Sequence, residues 1–474
     1  FEVMKYDYED LYAAKKTYGQ DINTSLGNAA DPIDADQKLQ EDALMSYVAS
    51  VNYSYGDKYY ASFSFRRDGS SRLSPDTRWG NFWSLSASWR LSQEKFMQSL
   101  KSVLSDLKLR ASYGVNGNLP SSYYGYQSTY TTGAFYNGKP SPWESTLGNE
   151  ELTWEKNYAL NLGLDIGLFS RVNVSLDWYT RTTKDLLMSK QLNSISGFSS
   201  LLTNVGQMRN TGVELEVRSN NIKTKDFSWT TAFNLSHNKN KILKLADLPW
   251  FVDGRYVRKE GYPFNTIYLR EYAGVDPETG SALYYDNQQD ENGNYTKNKV
   301  TDPGQASPIP LKDITPTISG GFMNTFNYKF IDLSFNLSYS FGGYSYDNAS
   351  YILQDDGYSV ISNKSTEQRR RWQKPGDITD VPRFVYGNKK GGNYNSSRAI
   401  HSTDHIRLKS LILGLNAPKA WLQKLGIGNA RIYFSGTNLL TWAAYGQYDP
   451  EMSGVVGFYT PPLKTYAFGL ELKF

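Results

Sequence analysis

The chain is dominated by a repeat of two. Trp83, Leu85, Ala87, Trp89 and Leu91 fall on one parity, and Ser84, Ser86, Ser88 and Arg90 on the other. Ile331, Leu333, Phe335, Leu337, Tyr339 and Phe341 alternate with Asp332, Ser334, Asn336, Ser338 and Ser340. The runs 158–168, 172–179 and 227–236 repeat the pattern. Successive side chains of a strand point to opposite faces, so each run predicts a strand with one apolar and one small polar face. About thirteen strands are predicted, starting near Leu44, Lys58, Asn81, Asp106, Asn157, Arg171, Gly206, Asp226, Thr317, Phe330, His405, Asn429 and Thr465. Helical spacing is confined to 94–104 and 418–425.

The connections sort by length. Gly56-Asp57, Phe169-Ser170 and Tyr328-Lys329 are tight, 219–225 is short, and 92–105 and 417–428 are moderate. Between them fall the loop 69–80 and the long stretches 116–155, 184–205, 239–315, 342–404 and 443–464. Antiparallel strands place successive connections at opposite ends. One end therefore carries the shorter turns and the other the long loops, the pattern of an outer-membrane barrel. A β-sandwich also alternates faces, but its strands are shorter and its loops need not sort by length. The expected fold is all-β, a transmembrane antiparallel β-barrel with long extracellular loops. The first and thirteenth predicted strands then run downward, which puts Phe474 at the periplasmic rim. Single-chain bacterial barrels have even strand numbers, so an odd number of further strands is expected upstream. The opening FEVMKYDYED, with no initiating Met and no signal-peptide pattern, agrees with that expectation.

Composition narrows the function classes. Tyr, Phe and Trp number 37, 22 and 11, and mean hydropathy is −0.56. Lys and Arg total 51 against 47 Asp and Glu, a surplus of +4 that gives no case for nucleic acid. The absence of cysteine excludes a disulfide scaffold, a thiolate zinc site and a cysteine nucleophile. No apolar run is long enough for a membrane helix, which leaves strand-built spans open.

Several stretches resemble SusC/RagA-type TonB-dependent outer-membrane transporters. They are SFRRDGSSRLSPDTRWGNFWSLSASWRLSQEKFM (64–97), LKLRASYGVNGN (107–118), LTWEKN (152–157), VGQMRNTGVELE (205–216) and AGVDPETG (273–280). RRWQKPGDITDVPR (370–383), IRLKSLILG (406–414), NLLTW (438–442) and YDPE (448–451) follow in family order. The ending TYAFGLELKF resembles the C-terminal strand signal of outer-membrane proteins. The resemblance implies a 22-stranded barrel with a plug in its lumen. On that reading residues 1–41 are an extracellular loop region. Residues 42–474 are the C-terminal part of the barrel, with the plug and first strands upstream. It also implies import of oligosaccharides or peptides, a SusD-type lipoprotein lid, the TonB–ExbB–ExbD complex, outer-membrane lipid, and pairing of transporter–lid units as dimers. A passive porin-like or surface-binding barrel is the alternative, and a soluble all-β binding protein a second.

No motif supplies catalytic residues, a metal set or a cofactor. His401 and His405 have helical metal spacing, but at a strand entrance four residues span roughly 13 Å, too far for one ion. Residues 286–295 lack the EF-hand pattern and predict a hairpin turn at Glu291-Asn292-Gly293 instead. Arg369, Arg370 and Arg371 are expected to pack against Asp377, Asp380 and neighbouring acids. The loop aromatics are the candidate substrate contacts: Tyr124, Tyr136 and Trp143 in one loop, Trp250 and Tyr256 in a second, Tyr358 in a third. Sugars stack on such rings and peptides pack on them. Trp83, Trp89 and Trp178 are expected to face lipid, and Ser84, Ser86, Arg90, Lys108, Arg110, Asn161 and Asp165 the lumen.

Overall fold

The computed structural model describes residues 1–18, 25–245, 248–359, 361–388, 395–422 and 426–474. Fourteen strands form one sheet with every neighbour consecutive among them. They are β1 Glu2–Tyr18, β2 Ala29–Tyr55, β3 Tyr59–Ser70, β4 Trp79–Arg90, β5 Leu104–Asn118, β6 Glu155–Leu168 and β7 Val172–Lys184. Then follow β8 Gln207–Lys223, β9 Phe227–Lys244, β10 Ile318–Tyr328, β11 Ile331–Phe341, β12 His405–Asn416, β13 Asn429–Ala443 and β14 Thr465–Lys473. All thirteen predicted strands are present. The additional one is β1, which pairs antiparallel with β2 from Glu2↔Ser46 to Tyr18↔Ala29. The parity argument built on thirteen therefore falls away. Residues 2–18 are strand where a loop region was expected.

The expected sorting of connections holds. The tight turns need left-handed backbone. Phe169 and Ser170 have φ of 53° and 52°, and Arg171 N–H closes the turn on the Leu168 carbonyl at 2.9 Å. Two successive positive φ values match the right-handed twist of the flanking strands. The predicted helix 94–104 is instead two 3-10 segments, Leu91–Gln93 and Lys95–Leu100. Thirteen residues between β4 and β5 leave room for single turns only, and such short pieces tighten to 3-10 geometry. The predicted helix 418–425 is Lys419–Leu422, and 423–425 lie outside the described residues.

Two compact units make up the chain. One is Phe1–Trp89, Ala111–Asn161 and Arg181–Met208; the other is Arg90–Arg110, Leu162–Thr180 and Arg209–Phe474. In the first, the outward parity of β2–β4 carries aromatics at two levels. Tyr47 lies 5.4 Å from Phe1 and 6.2 Å from Trp79, whose ring also holds Arg67 at 5.3 Å. Tyr59 stacks on Trp89 at 6.2 Å at the turn end. Ten residues separate Trp79 from Trp89. At ~3.3 Å per residue and a strand tilt of ~40° this is ~25 Å of height, the apolar band of an outer-membrane barrel. β1 starts at the upper level and runs past it.

The long loops of this unit have an ordinary buried core. Leu73, Phe82, Val115, Leu152 and Trp154 pack together, with Phe82 edge-on to Trp154 at 5.2 Å. Gly80 and Gly117 make room for the Phe82 ring, which a Cβ would meet at 2.4 and 2.2 Å. Trp154 also donates its indole N–H to the Arg78 carbonyl at 2.8 Å.

In the second unit the outward parity of β9–β11 is a sheet of rings. Trp229 stacks on Phe326 at 5.6 Å, Phe233 on Tyr339 at 6.2 Å and Phe326 on Phe335 at 6.3 Å. The opposite parity carries ion pairs. Arg110 reaches Asp165 and Asp177 at 2.9 Å each, Arg90 meets Asp106 at 3.0 Å, and Arg431 meets Asp332 at 2.7 Å. These include the expected lumen residues Arg90, Arg110 and Asp165: Arg110 and Asp165 pair across strands, and Arg90 pairs with Asp106.

Candidate functional site

The long loops of the second unit fold onto small sheets of their own. Tyr344–Asp347 pairs antiparallel with Ile400–Ser402 and parallel with Gly454–Val456. Chain segments more than 50 residues apart in sequence are thereby fixed side by side. Beside them, on the loop end of β12 and β13, lies a cavity of about 570 Å³. That is within the range of ligand pockets, ~300–1,000 Å³.

The floor is a buried ion-pair cluster. Arg407, from β12, grips both carboxylate oxygens of Asp449 at 2.8 Å, donates to Glu451 at 2.8 Å and to Thr441 Oγ1 at 3.1 Å. Lys409 also reaches Glu451, at 2.6 Å. Arg407 and Asp449 are both buried, so each charge depends on its partner; an unpaired one would be costly there. The YDPE and IRLK motifs are thus the two halves of a clasp between the last long loop and the wall.

The walls are aromatic and proline-rich. Tyr448, Pro450, Phe458, Tyr459, Pro461 and Pro462 line them, with Leu353 and Met452. Asp347 sits at the rear, buried, accepting from Ser350 N–H at 2.9 Å and Tyr445 O–H at 3.1 Å. His401 stacks flat on Tyr445 at 3.7 Å and 2°. Burial holds the His401 imidazole below its usual range, against the pull of Asp347. Burial pushes the Tyr445 phenol well up, and the neighbouring Asp347 adds to the rise.

The six predicted contact residues are dispersed. Tyr124 accepts from Glu41 N–H at 3.2 Å and so braces β2. Tyr136 and Trp143 stand exposed on a hairpin, Thr129–Tyr136 against Lys139–Thr146. Trp250 lies 5.9 Å from Tyr268. Tyr256 packs on the core of Ile267, Leu269, Tyr346 and Ala399, with Arg258 over its ring at 5.4 Å. Tyr358 is exposed. Trp250, Tyr256 and Tyr358 do not line the cavity. Sequence reasoning missed its lining. The available signal was the run FYTPP at 458–462, where two rings precede two prolines just before a strand start.

The other candidates resolve into local structure. His405 Nδ1 faces the Thr403 carbonyl at 2.8 Å, and His405 Nε2 lies 3.7 Å from Glu451. Asp290 accepts from Asn294 and Asn292 N–H at 2.8 and 2.9 Å, which lowers its carboxyl from the usual range and closes the predicted turn. The strand after that turn is Lys299–Val300, which pairs with Ala282–Tyr285. Arg370 pairs with Glu367 and Asp380. Among the described residues no group of three His, Cys, Asp or Glu could hold a metal.

Residues 3–267 match the family model described as TonB dependent receptor-like, beta-barrel. The chain belongs to this family. Trp83, Trp89 and Trp178 are exposed on the parity opposite the ion pairs, the parity expected to face lipid. TonB-dependent receptors supply its relatives. One from Formosa agariphila, TonB-dependent receptor P3, is 33% identical over 92% of this chain and 46% of its own length. TonB-dependent receptor SusC of Bacteroides thetaiotaomicron is 30% identical over 93% of this chain and 45% of its own. The solved RagAB peptide transporter superposes on all of this chain and 52% of its own, with a TM-score of 0.88 and 30% identity. The chain spans about half the length of the relatives it matches. The family is one of receptors and transporters, not of enzymes.

Proposed function

We propose that the chain is the C-terminal wall of a TonB-dependent importer of oligosaccharides or peptides, working with a SusD-type lipoprotein lid. Its work is binding and gated passage rather than covalent chemistry. The whole protein would carry 22 strands and a plug, and TonB–ExbB–ExbD would act on the part outside this chain. The observation that carries the reading is the clasped cavity at the loop end of β12 and β13, in a chain whose structural relative is a peptide transporter. Residues 1–41 are extracellular on this reading, as a β-ribbon rather than a loop. The packing of Phe1 at the upper aromatic level supports that placement. The six loop aromatics, Tyr124 through Tyr358, serve ligand or lid contact only where they remain exposed, which favours Tyr124, Tyr136, Trp143, Trp250 and Tyr358 over Tyr256.

The test is uptake of a bound ligand by cells with and without TonB. Loss of uptake without TonB, with binding retained, is the expected result. Uptake that persists unchanged would replace this reading with a passive porin-like barrel.

A further inference from the structure

The cavity's charges can be accounted for one by one. Four ionisable carboxylate, guanidinium or ammonium groups line it: Asp347, Arg407, Asp449 and Lys464. Arg407 and Asp449 are consumed by each other. Asp347 already accepts from a backbone N–H and a phenol, so both lining carboxylates have donors aimed at them. Lys464 is exposed and has no ion-pair partner among the described residues. The side-chain amide of Asn438 donates to the Leu463 carbonyl at 3.3 Å and so steadies the backbone next to Lys464.

Of the lining charges, one ammonium is left over beside a wall of rings and prolines. The amides of Gln354, Asn438 and Gln447 in the lining can serve hydroxyls, but the one lining charge without a counter-ion among the described residues is the ammonium. A carboxylate next to an apolar or ring-bearing residue matches what is free: the ammonium meets the charge, and Phe458 and Tyr459 cover the adjoining residue. We propose that this cavity receives the carboxylate-bearing end of an oligomeric ligand, with Lys464 as its charge contact. The proposal rests on the import reading above. A peptide C-terminus and a uronic acid share the required chemistry.

The experiment uses the full-length protein extracted from outer membranes. Four probes are titrated by calorimetry: an apolar tetrapeptide with a free C-terminus, its C-terminal amide, a triuronate, and the corresponding neutral trisaccharide. The expected result is at least tenfold tighter binding of one acid than of its neutral counterpart. The peptide pair or the sugar pair identifies the source. Lys464→Gln should abolish that preference and leave the neutral counterpart's affinity unchanged, and Lys464→Arg should restore it. Raising the salt from 50 to 500 mM should shrink the preference, because the contact is partly exposed. Equal binding of acid and neutral forms overturns the proposal, as does a preference that survives Lys464→Gln. So does failure of all four probes to bind. Uptake measured in the same cells with and without TonB then tells whether the import reading has failed as well.

Discussion

In β9–β11 the large rings lie on one parity and the ion-paired Asp332 on the other. In the long loops around Asp356 and Arg398 the rings close over an ion pair instead. There Arg398 meets Asp356 at 2.6 Å with both side chains nearly inaccessible, and Tyr272 and Tyr284 pack against them. Burial pushes the Tyr272 phenol well up. In the wall, polar groups collect on the lumen side and apolar ones meet lipid. In the loops, apolar groups collect inside and water lies outside. One chain thus obeys two solvents. Lipid offers no hydrogen bonds, so the strands satisfy their backbone in the ladder and turn rings outward. Water drives burial of apolar area, so the loops build compact cores.

That contrast can be broken most forcefully from the loop side. Trp154→Ala removes the centre of a buried cluster and should cost about 3–5 kcal/mol. If the loops are independent of the lipid-facing wall, hydrogen exchange rises across 119–154 while the heat-modifiable folded band is unchanged. Loss of the folded band with the same variant would show a single cooperative unit. From the wall side, Leu164→Arg and Phe335→Arg each place a charge on the lipid parity and should cost roughly 2–4 kcal/mol at mid-bilayer. Yield of folded protein from outer membranes is the readout, and normal yield of both would refute the outward assignment. The smallest effect is a titration. The folded pKa of His401 lies below its unfolded value of about 6.5, so its neutral form favours the fold. This contribution is complete above that pH and is lost as pH falls toward the folded value. Proteolysis within 444–464 should quicken between pH 7.5 and 5, and His401→Gln should flatten the change.

The wall was legible because its physics is local. Alternation along each run is enough to assign a strand and its faces, and every predicted start from Leu44 to Thr465 has a strand. β1 escaped because Tyr6, Tyr8 and Tyr12 alternate with Lys5, Asp7 and Glu9 on a ribbon exposed on both faces, so no apolar stripe marks it. The loop sheets escaped for a different reason. Tyr344–Asp347 has four residues and finds its partners far along the chain, at Ile400–Ser402 and Gly454–Val456. Nothing local encodes such a pairing. The cavity inherited that difficulty. Arg407, Asp449 and Glu451 stood out only as pieces of familiar motifs, and their meeting at 2.8 Å is a fact of the third dimension.

The Arg407 clasp separates anchorage from recognition. The residues that hold the final loop, Asp449 and Glu451, precede those that line the cavity mouth, Phe458 to Lys464, by less than twenty positions. Among the described residues the lining stretch carries no ion pair, and it has little burial of its own, so its side chains can be changed without loosening the clasp. Substitutions in 458–464 would reshape the cavity mouth while leaving the wall and the clasp untouched.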